Sequence, residues 1–256
     1  MLSSFPPNFT ALIQGSSRGI GLALVERLLN EPRVGRVLAC ARRPDGSAGL
    51  ARLAETHAGR LQMVQLDITD SGQLEALADG LRAERLRPHL VINVAGILHD
   101  GQGLAPEKRL EDLDFERMQR VFAVNALGPA LLCRHLLPLM ATDGKAVLAA
   151  LSARVGSIGD NRLGGWYAYR SSKAALNQIL KTASIEARRR FKNVVLAALH
   201  PGTTDTNLSR PFQANVPDDK LFSTDFVAER LLSVIDQLEL GDSGGFFAWD
   251  GQSIPW

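Results

Sequence analysis

A chain of 256 residues with 45% hydrophobic and 22% charged side chains can bury a full core, which excludes a disordered or collagen-like chain. Lys+Arg 29 against Asp+Glu 27 leaves a net charge of +2, too balanced to give nucleic acid or an anionic membrane a broad footprint, so a small-molecule ligand is expected. Cys40 and Cys133 sit in apolar contexts and the five histidines are scattered, which predicts reduced core thiols and no metal site.

Met1 to Pro7 has no basic segment followed by a long apolar stretch, and the run Val121 to Cys133 is interrupted by Asn125, Gly128 and Pro129. A cytoplasmic protein with no membrane contact is expected. Strand-length apolar segments then alternate with segments of helical period, the rhythm of an α/β fold with helices on both faces of a parallel sheet. The first strand is Phe9 to Gln14, and a helix follows from Arg18 to Asn30. A second strand, Val37 to Ala41, ends at Arg42 and Arg43. A weak helix from Gly49 to His57 leads to a third strand, Leu61 to Leu66, which stops at Asp67. A helix from Gln73 to Glu84 precedes the fourth strand, His89 to Asn93.

The polar stretch Leu98 to Asp112 is long enough to be a functional loop. A long helix, Asp114 to Met140, is expected to bend at Pro129. The strand Ala146 to Leu151 and a glycine-rich loop precede the helix Tyr167 to Arg190. Its terminal Arg188, Arg189 and Arg190 complement the helix dipole. The strand Val194 to Leu199, a polar segment to Ser223, a helix from Asp225 to Leu238 and a strand from Gly245 to Trp249 complete the chain. The expectation is one domain over 1–256: a doubly wound parallel sheet of about seven strands, the Rossmann fold.

Gly15, Ser17, Arg18, Gly19, Ile20 and Gly21 lie between the first strand and first helix. Glycines there let the backbone turn sharply and approach a diphosphate, whose charge a helix N-terminus favours. The second strand lacks the terminal acid that would bind the adenine ribose of NAD. Arg42 and Arg18 offer a cationic clamp for the extra phosphate of NADP, with Arg43 beside them, so NADPH is expected over NADH. Tyr169 and Lys173 share a helix face, where an ammonium beside a phenol favours the phenolate and permits proton exchange with a substrate oxygen.

These features, with Asp67, Asn93-Val94-Ala95-Gly96, Asn125, Pro201-Gly202 and Thr206 in that order, resemble the short-chain dehydrogenase/reductase family along nearly the whole chain. The stretches Arg154 to Asn161, Gly164 to Arg170 and Ser172 to Asn177, and the ending at Trp256, resemble its C-factor branch. The resemblance implies that Tyr169 is the general acid/base, that Lys173 holds the nicotinamide ribose and lowers the tyrosine's pKa, and that Asn125 positions Lys173 through water. It further implies Asp67 and Ile68 at the adenine, Asn93, Ala95 and Gly96 along the cofactor, and Pro201, Gly202, Thr204 and Thr206 near the carboxamide and diphosphate. The implied chemistry is hydride transfer between the nicotinamide and a carbonyl or alcohol carbon.

One departure matters. Counting back three residues from Gly156, where the family carries the serine that polarises substrate oxygen, gives Ala153. Ser152 is adjacent and remains the serine candidate, but an extended backbone would aim it to the opposite face. A distorted loop, a rotated strand end, Ser157 or a water are alternative donors. Gln14 and Val94 also replace a usual threonine and asparagine, changes expected to alter local hydrogen bonding only. His200 has no acidic neighbour in sequence and is expected to pack or hydrogen-bond at its strand end.

Two readings follow. The first is an NADP(H)-dependent oxidoreductase acting on a small or medium carbonyl or alcohol. The second, motivated by Ala153, is a cofactor-binding sensor or C-factor-like signalling protein with little turnover. The segment 203–223 is expected beside the substrate, either as a lid or as a surface excursion with its own small core. Family resemblance implies a homodimer or homotetramer.

Overall fold

The computed structural model describes residues 1–256. Seven parallel strands form the main sheet: β1 Phe9–Gln14, β2 Val34–Ala41, β3 Leu61–Gln65, β4 Leu90–Asn93, β5 Ala146–Leu151, β6 Val194–His200 and, at its far edge, β9 Gly245–Ala248. A separate short pair joins β7 Thr203–Thr204 to β8 Leu221–Phe222, inside the polar segment that the sequence left without strands. The main order is β3-β2-β1-β4-β5-β6-β9, so the winding reverses between β1 and β4. A crevice opens at the carboxyl ends of the strands at that reversal.

Each central strand is buried on both faces, which is why it reads as a continuous apolar run rather than an alternating one. Ala11 and Ile13 of β1 turn to one core with Val37, Ile92 and Val147, against α1 (Gly19–Asn30), α2 (Ala48–Thr56) and α7 (Thr224–Gln237). Leu12 turns to the other with Leu38, Val91 and Leu148, against α3 (Ser71–Ala83), α5 (Gly128–Leu136) and α6 (Tyr167–Arg190). Cys40 and Cys133 are buried in this second layer, and burial pushes both thiols up to about 12, so neither is a poised thiolate.

The helix expected over 114–140 follows a continuous path with a change of winding. α4 (Phe115–Phe122) passes into a π-helical turn, Ala123–Leu127, before α5 and a closing 3-10 turn, Leu137–Leu139. The N–H of Gly128 reaches the carbonyl of Ala123, five residues back, and Pro129 has no N–H with which to restore the ordinary ladder. The extra residue in that turn carries Asn125 inward, where it is fully buried. The stretch Phe115–Leu139 has the length and apolar content of a membrane span, but it packs here on α6 and α3.

Candidate active site

Hydroxyl or carboxylate caps receive a backbone N–H at the start of α2 (Ser47), α3 (Asp70), α4 (Asp114) and α7 (Ser223). α1 has no side-chain cap, and its cap residue Arg18 is fully extended. Its first-turn N–H groups therefore face the crevice as donors for an anion. Gly15, at φ +88°, allows the turn: a Cβ there would stand 2.7 Å from the backbone nitrogen of Ala95 after β4. A Cβ on Gly21 would collide with the carbonyl oxygen of Gly15, Ile20 is buried beneath the turn, and a Cβ on Gly19 would meet the Thr206 methyl at 3.4 Å.

Ser47, unnoticed in the sequence, braces this turn by donating its hydroxyl to the Ser17 carbonyl at 2.7 Å while it caps α2. Its signal was a serine before a weak helical period. Arg18, Arg42 and Arg43 are exposed around the turn and none forms an ion pair. An uncapped helix end, a glycine cradle and unpaired guanidinium groups fit a dinucleotide bearing an additional phosphate.

Asp67 follows β3 and accepts from the Thr69 N–H and hydroxyl, while Ile68 is buried against Gly128 of the broken helix. Asn93 is buried at the end of β4, opposite Gln14, and both side-chain oxygens lack a hydrogen-bond partner. Pro201 and Gly202 turn the chain after β6, and the Thr204 hydroxyl donates back to the Pro201 carbonyl at 3.4 Å.

Tyr169 and Lys173 occupy the first turns of α6, 8% and 3% exposed, with the ammonium nitrogen 5.8 Å from the tyrosine ring. Lys173 donates to the Leu151 carbonyl at 2.8 Å, which fixes the head group and leaves two N–H bonds for a ligand. Burial pushes the Tyr169 phenol up to about 12 and the Lys173 ammonium down to about 8. The expected lowering of the phenol by its neighbour is thus overridden here, because desolvation opposes both charged forms.

Asn125 does not contact Lys173 directly. Its amide closes a two-bond ring with the N–H and carbonyl of Ile97, at 2.8 and 2.9 Å, and donates to Ser172. Asn125 Oδ1 and Lys173 Nζ both lie 3.5 Å from where a Cβ on Gly96 would stand. Ser152, by contrast, does not join Tyr169: its hydroxyl donates to the Asn177 amide oxygen at 2.6 Å beneath α6. Ala153 is extended (φ −148°, ψ 145°), so the pleat separates it from Ser152. Ser157 is buried and accepts from the Asp160 N–H.

The N-terminus of α6 is capped at a distance. Glu107, buried in the loop before α4, accepts from the Ala168 N–H through its carboxylate, and its carbonyl accepts from the Trp166 N–H. Trp166 packs edge-on to Tyr169 at 6.2 Å between ring centroids and against Phe212 at 4.8 Å. His99 lies 5.8 Å from Phe212 and its Nε2 reaches the carbonyls of Asn207 and Leu208. The segment 203–223 thus reaches Trp166, the neighbour of Tyr169, through Phe212. Phe222 instead joins Phe226 and Trp249 in a separate aromatic group, so the segment has both a contact with the site and a small core of its own. Two clefts of about 310 and 560 Å³ lie elsewhere, around Arg27 and Asp225 and around Lys145 and Gln237, and touch none of these groups.

The short chain dehydrogenase family model matches residues 9–217. C-signal of Myxococcus xanthus is 37% identical over 147 residues, 57% of this chain and 83% of that protein. A 1-hydroxy-2-glutathionyl-2-methyl-3-butene dehydrogenase of Rhodococcus is 30% identical over 247 residues, 96% of this chain and 99% of its own. Among solved structures, NADPH-bound carbonyl reductase from chicken fatty liver superposes with a TM-score of 0.86 at 30% identity, covering 99% of this chain and 96% of that one.

Proposed function

The chain belongs to the short-chain dehydrogenase family, and from that premise we propose that it is an NADP(H)-dependent carbonyl reductase, working in reverse as an alcohol dehydrogenase. The observation that carries this reading is the pairing of Tyr169 and Lys173 on one face of α6 at the carboxyl end of the sheet. The bound nicotinamide supplies the hydride. Tyr169, neutral because burial holds its phenol near 12, hydrogen-bonds the substrate oxygen and delivers the proton as charge develops there. Lys173, charged below about 8, stabilises the phenolate left behind and offers its remaining N–H bonds to the cofactor ribose. Asn125 holds the turn after β4 rigid against α6 through Ile97 and Ser172, which keeps the Lys173 side of the crevice in register. The α1 N-terminus takes the diphosphate, and Arg18 and Arg42, with Arg43 beside them, take the phosphate that distinguishes NADP.

NADPH oxidation over a panel of aldehydes, ketones and quinones tests the proposal. Turnover that vanishes in Tyr169→Phe while NADPH still binds is the expected result. Tight NADPH binding with no turnover of any carbonyl would overturn it.

A second reading is favoured by one observation, the engagement of Ser152 with Asn177 beside Ala153. That pairing supports a cofactor-binding sensor or signalling protein with little turnover, in keeping with the similarity to C-signal. A wild-type enzyme that is already fast and depends on Tyr169 would exclude it.

A further inference from the structure

Trp166 stands in a backbone conformation that a bulky side chain rarely adopts. Gly164, Gly165 and Trp166 have φ of 66°, 64° and 53°, three left-handed residues in succession before α6. Glycine enters that region freely, but tryptophan does so only where its surroundings over-determine it, and such residues cluster at functional sites. Here the surroundings are explicit. The Arg170 guanidinium donates to the carbonyls of Gly164 and Gly165 at 3.1 and 2.9 Å, and Glu107 receives the Trp166 N–H. Polar contacts from two separate segments thus hold the turn.

The turn sets one ring in place. Trp166 meets Tyr169 at an interplanar angle of 77° and Phe212 at 57°, and is itself only partly buried. Phe212 comes from the segment 203–223 and is steadied by His99, which also reaches two carbonyls of that segment. Trp166 therefore stands beside the Tyr169 ring, and Phe212, brought by the segment 203–223, backs it as a second ring one contact further out.

We infer that Trp166 and Phe212 form an aryl-binding wall beside Tyr169, which selects planar aromatic carbonyl compounds over saturated ones of the same size. The inference rests on the carbonyl-reductase reading, since it takes the substrate oxygen to lie at the Tyr169 hydroxyl. A carbonyl held there would have its substituent beside the Trp166 ring, with Phe212 next to that ring. A flat substituent can meet their faces or edges, whereas a puckered ring of equal bulk gains burial without the quadrupole contacts.

The test compares phenyl methyl ketone with cyclohexyl methyl ketone, which differ mainly in planarity and π character. Their Kd values are measured by equilibrium titration on protein saturated with NADP⁺, so that binding is read without turnover. A preference of about fivefold for the phenyl ketone is expected, the size of one or two aromatic contacts, falling to within about twofold in Trp166→Leu and in Phe212→Leu. Equal affinities in the wild type, or a preference that survives in both variants, would overturn the wall. Reduction of 2,3-butanedione by NADPH, a substrate without rings, reports separately on the reductase reading. A phenyl preference with no turnover of butanedione or any other carbonyl would sink that reading alone, and turnover without the preference would sink the wall alone.

Discussion

Ser152 and Asn177 form a closed pair, hydroxyl to amide oxygen at 2.6 Å, two turns of α6 beyond Tyr169. Eight residues of helix separate Asn177 from Tyr169, about 12 Å of rise, and the hydroxyl is committed to the interface under α6. Ser152→Ala should leave kcat/KM unchanged while costing about 1 to 3 kcal/mol of stability, because it strands a buried amide oxygen. Ala153→Ser should instead raise kcat/KM, by up to about a hundredfold if the new hydroxyl meets the substrate oxygen. Steady-state kinetics and urea unfolding on the two variants separate these roles. A fall in kcat/KM for Ser152→Ala that exceeds its stability loss would restore Ser152 to the chemistry.

Tyr169→Phe removes only a hydroxyl from a residue whose ring is packed against Trp166. The fold and the cofactor cradle should survive, with kcat lower by about a hundredfold to ten-thousandfold, the range for loss of a positioned proton donor. NADPH titration alongside turnover is the measurement. Retained kcat would move the proton donor elsewhere.

The pH dependence has a definite sign. Burial lowers Lys173 to about 8 and raises Tyr169 to about 12, so the phenol keeps its proton throughout the working range and the lysine is the group that titrates. Reduction needs the neutral phenol and the ammonium together, a state present below about 8 and lost as pH rises through it. The kcat/KM for reduction should therefore fall above pH 8, tenfold for each further unit once Lys173 is mostly neutral. A rate flat from pH 7 to 10 would show that the charge on Lys173 is dispensable.

Much of the sheet was legible because buried parallel strands write themselves as short apolar runs, and the glycine turn and the Tyr169 and Lys173 spacing are local patterns. What escaped was set by long-range contact. Glu107 caps α6 from 61 residues away, and nothing around Glu107 or Ala168 announces the partnership. The left-handed Trp166 was hidden for the same reason, since only Arg170 and Glu107 together make that conformation tolerable. Pro129 did signal an irregularity, but a bend and a π-helical turn have the same sequence mark. The turn's inward face, which buries Asn125, emerges only when Ile97 and Ser172 are brought to it.

Cofactor choice should follow the unpaired arginines. Arg18 and Arg42 have no protein carboxylate to satisfy, so a ligand phosphate is the partner they can gain without breaking an existing ion pair. Loss of one charge-assisted bond costs about 1.5 to 3 kcal/mol, so Arg42→Ala and Arg18→Ala should each weaken NADPH binding by about ten- to a hundredfold. NADH lacks the phosphate and should bind both variants as it binds the wild type. Equal losses for the two cofactors would mean that the arginines act on the diphosphate or on the fold.

His200 predicts an acid limit to stability. Burial, assisted by the positive charge of Arg154, depresses its imidazole from 6.5 to about 4, and its Nδ1 has no hydrogen-bond partner. Between those two values the unfolded chain binds the proton that the folded chain refuses, so stability is full above pH 6.5, declines as pH falls towards 4 and loses nothing more to this group below it. The depression corresponds to at most about 3 kcal/mol, a large share of the stability of an ordinary domain. Chemical denaturation at pH 7 and pH 4.5 should show a loss in the wild type that is markedly smaller in His200→Asn, which carries no titrating ring. Parallel losses in the two proteins would place the acid sensitivity on carboxylates such as Asp225, whose ion pair with Arg27 is also given up on protonation.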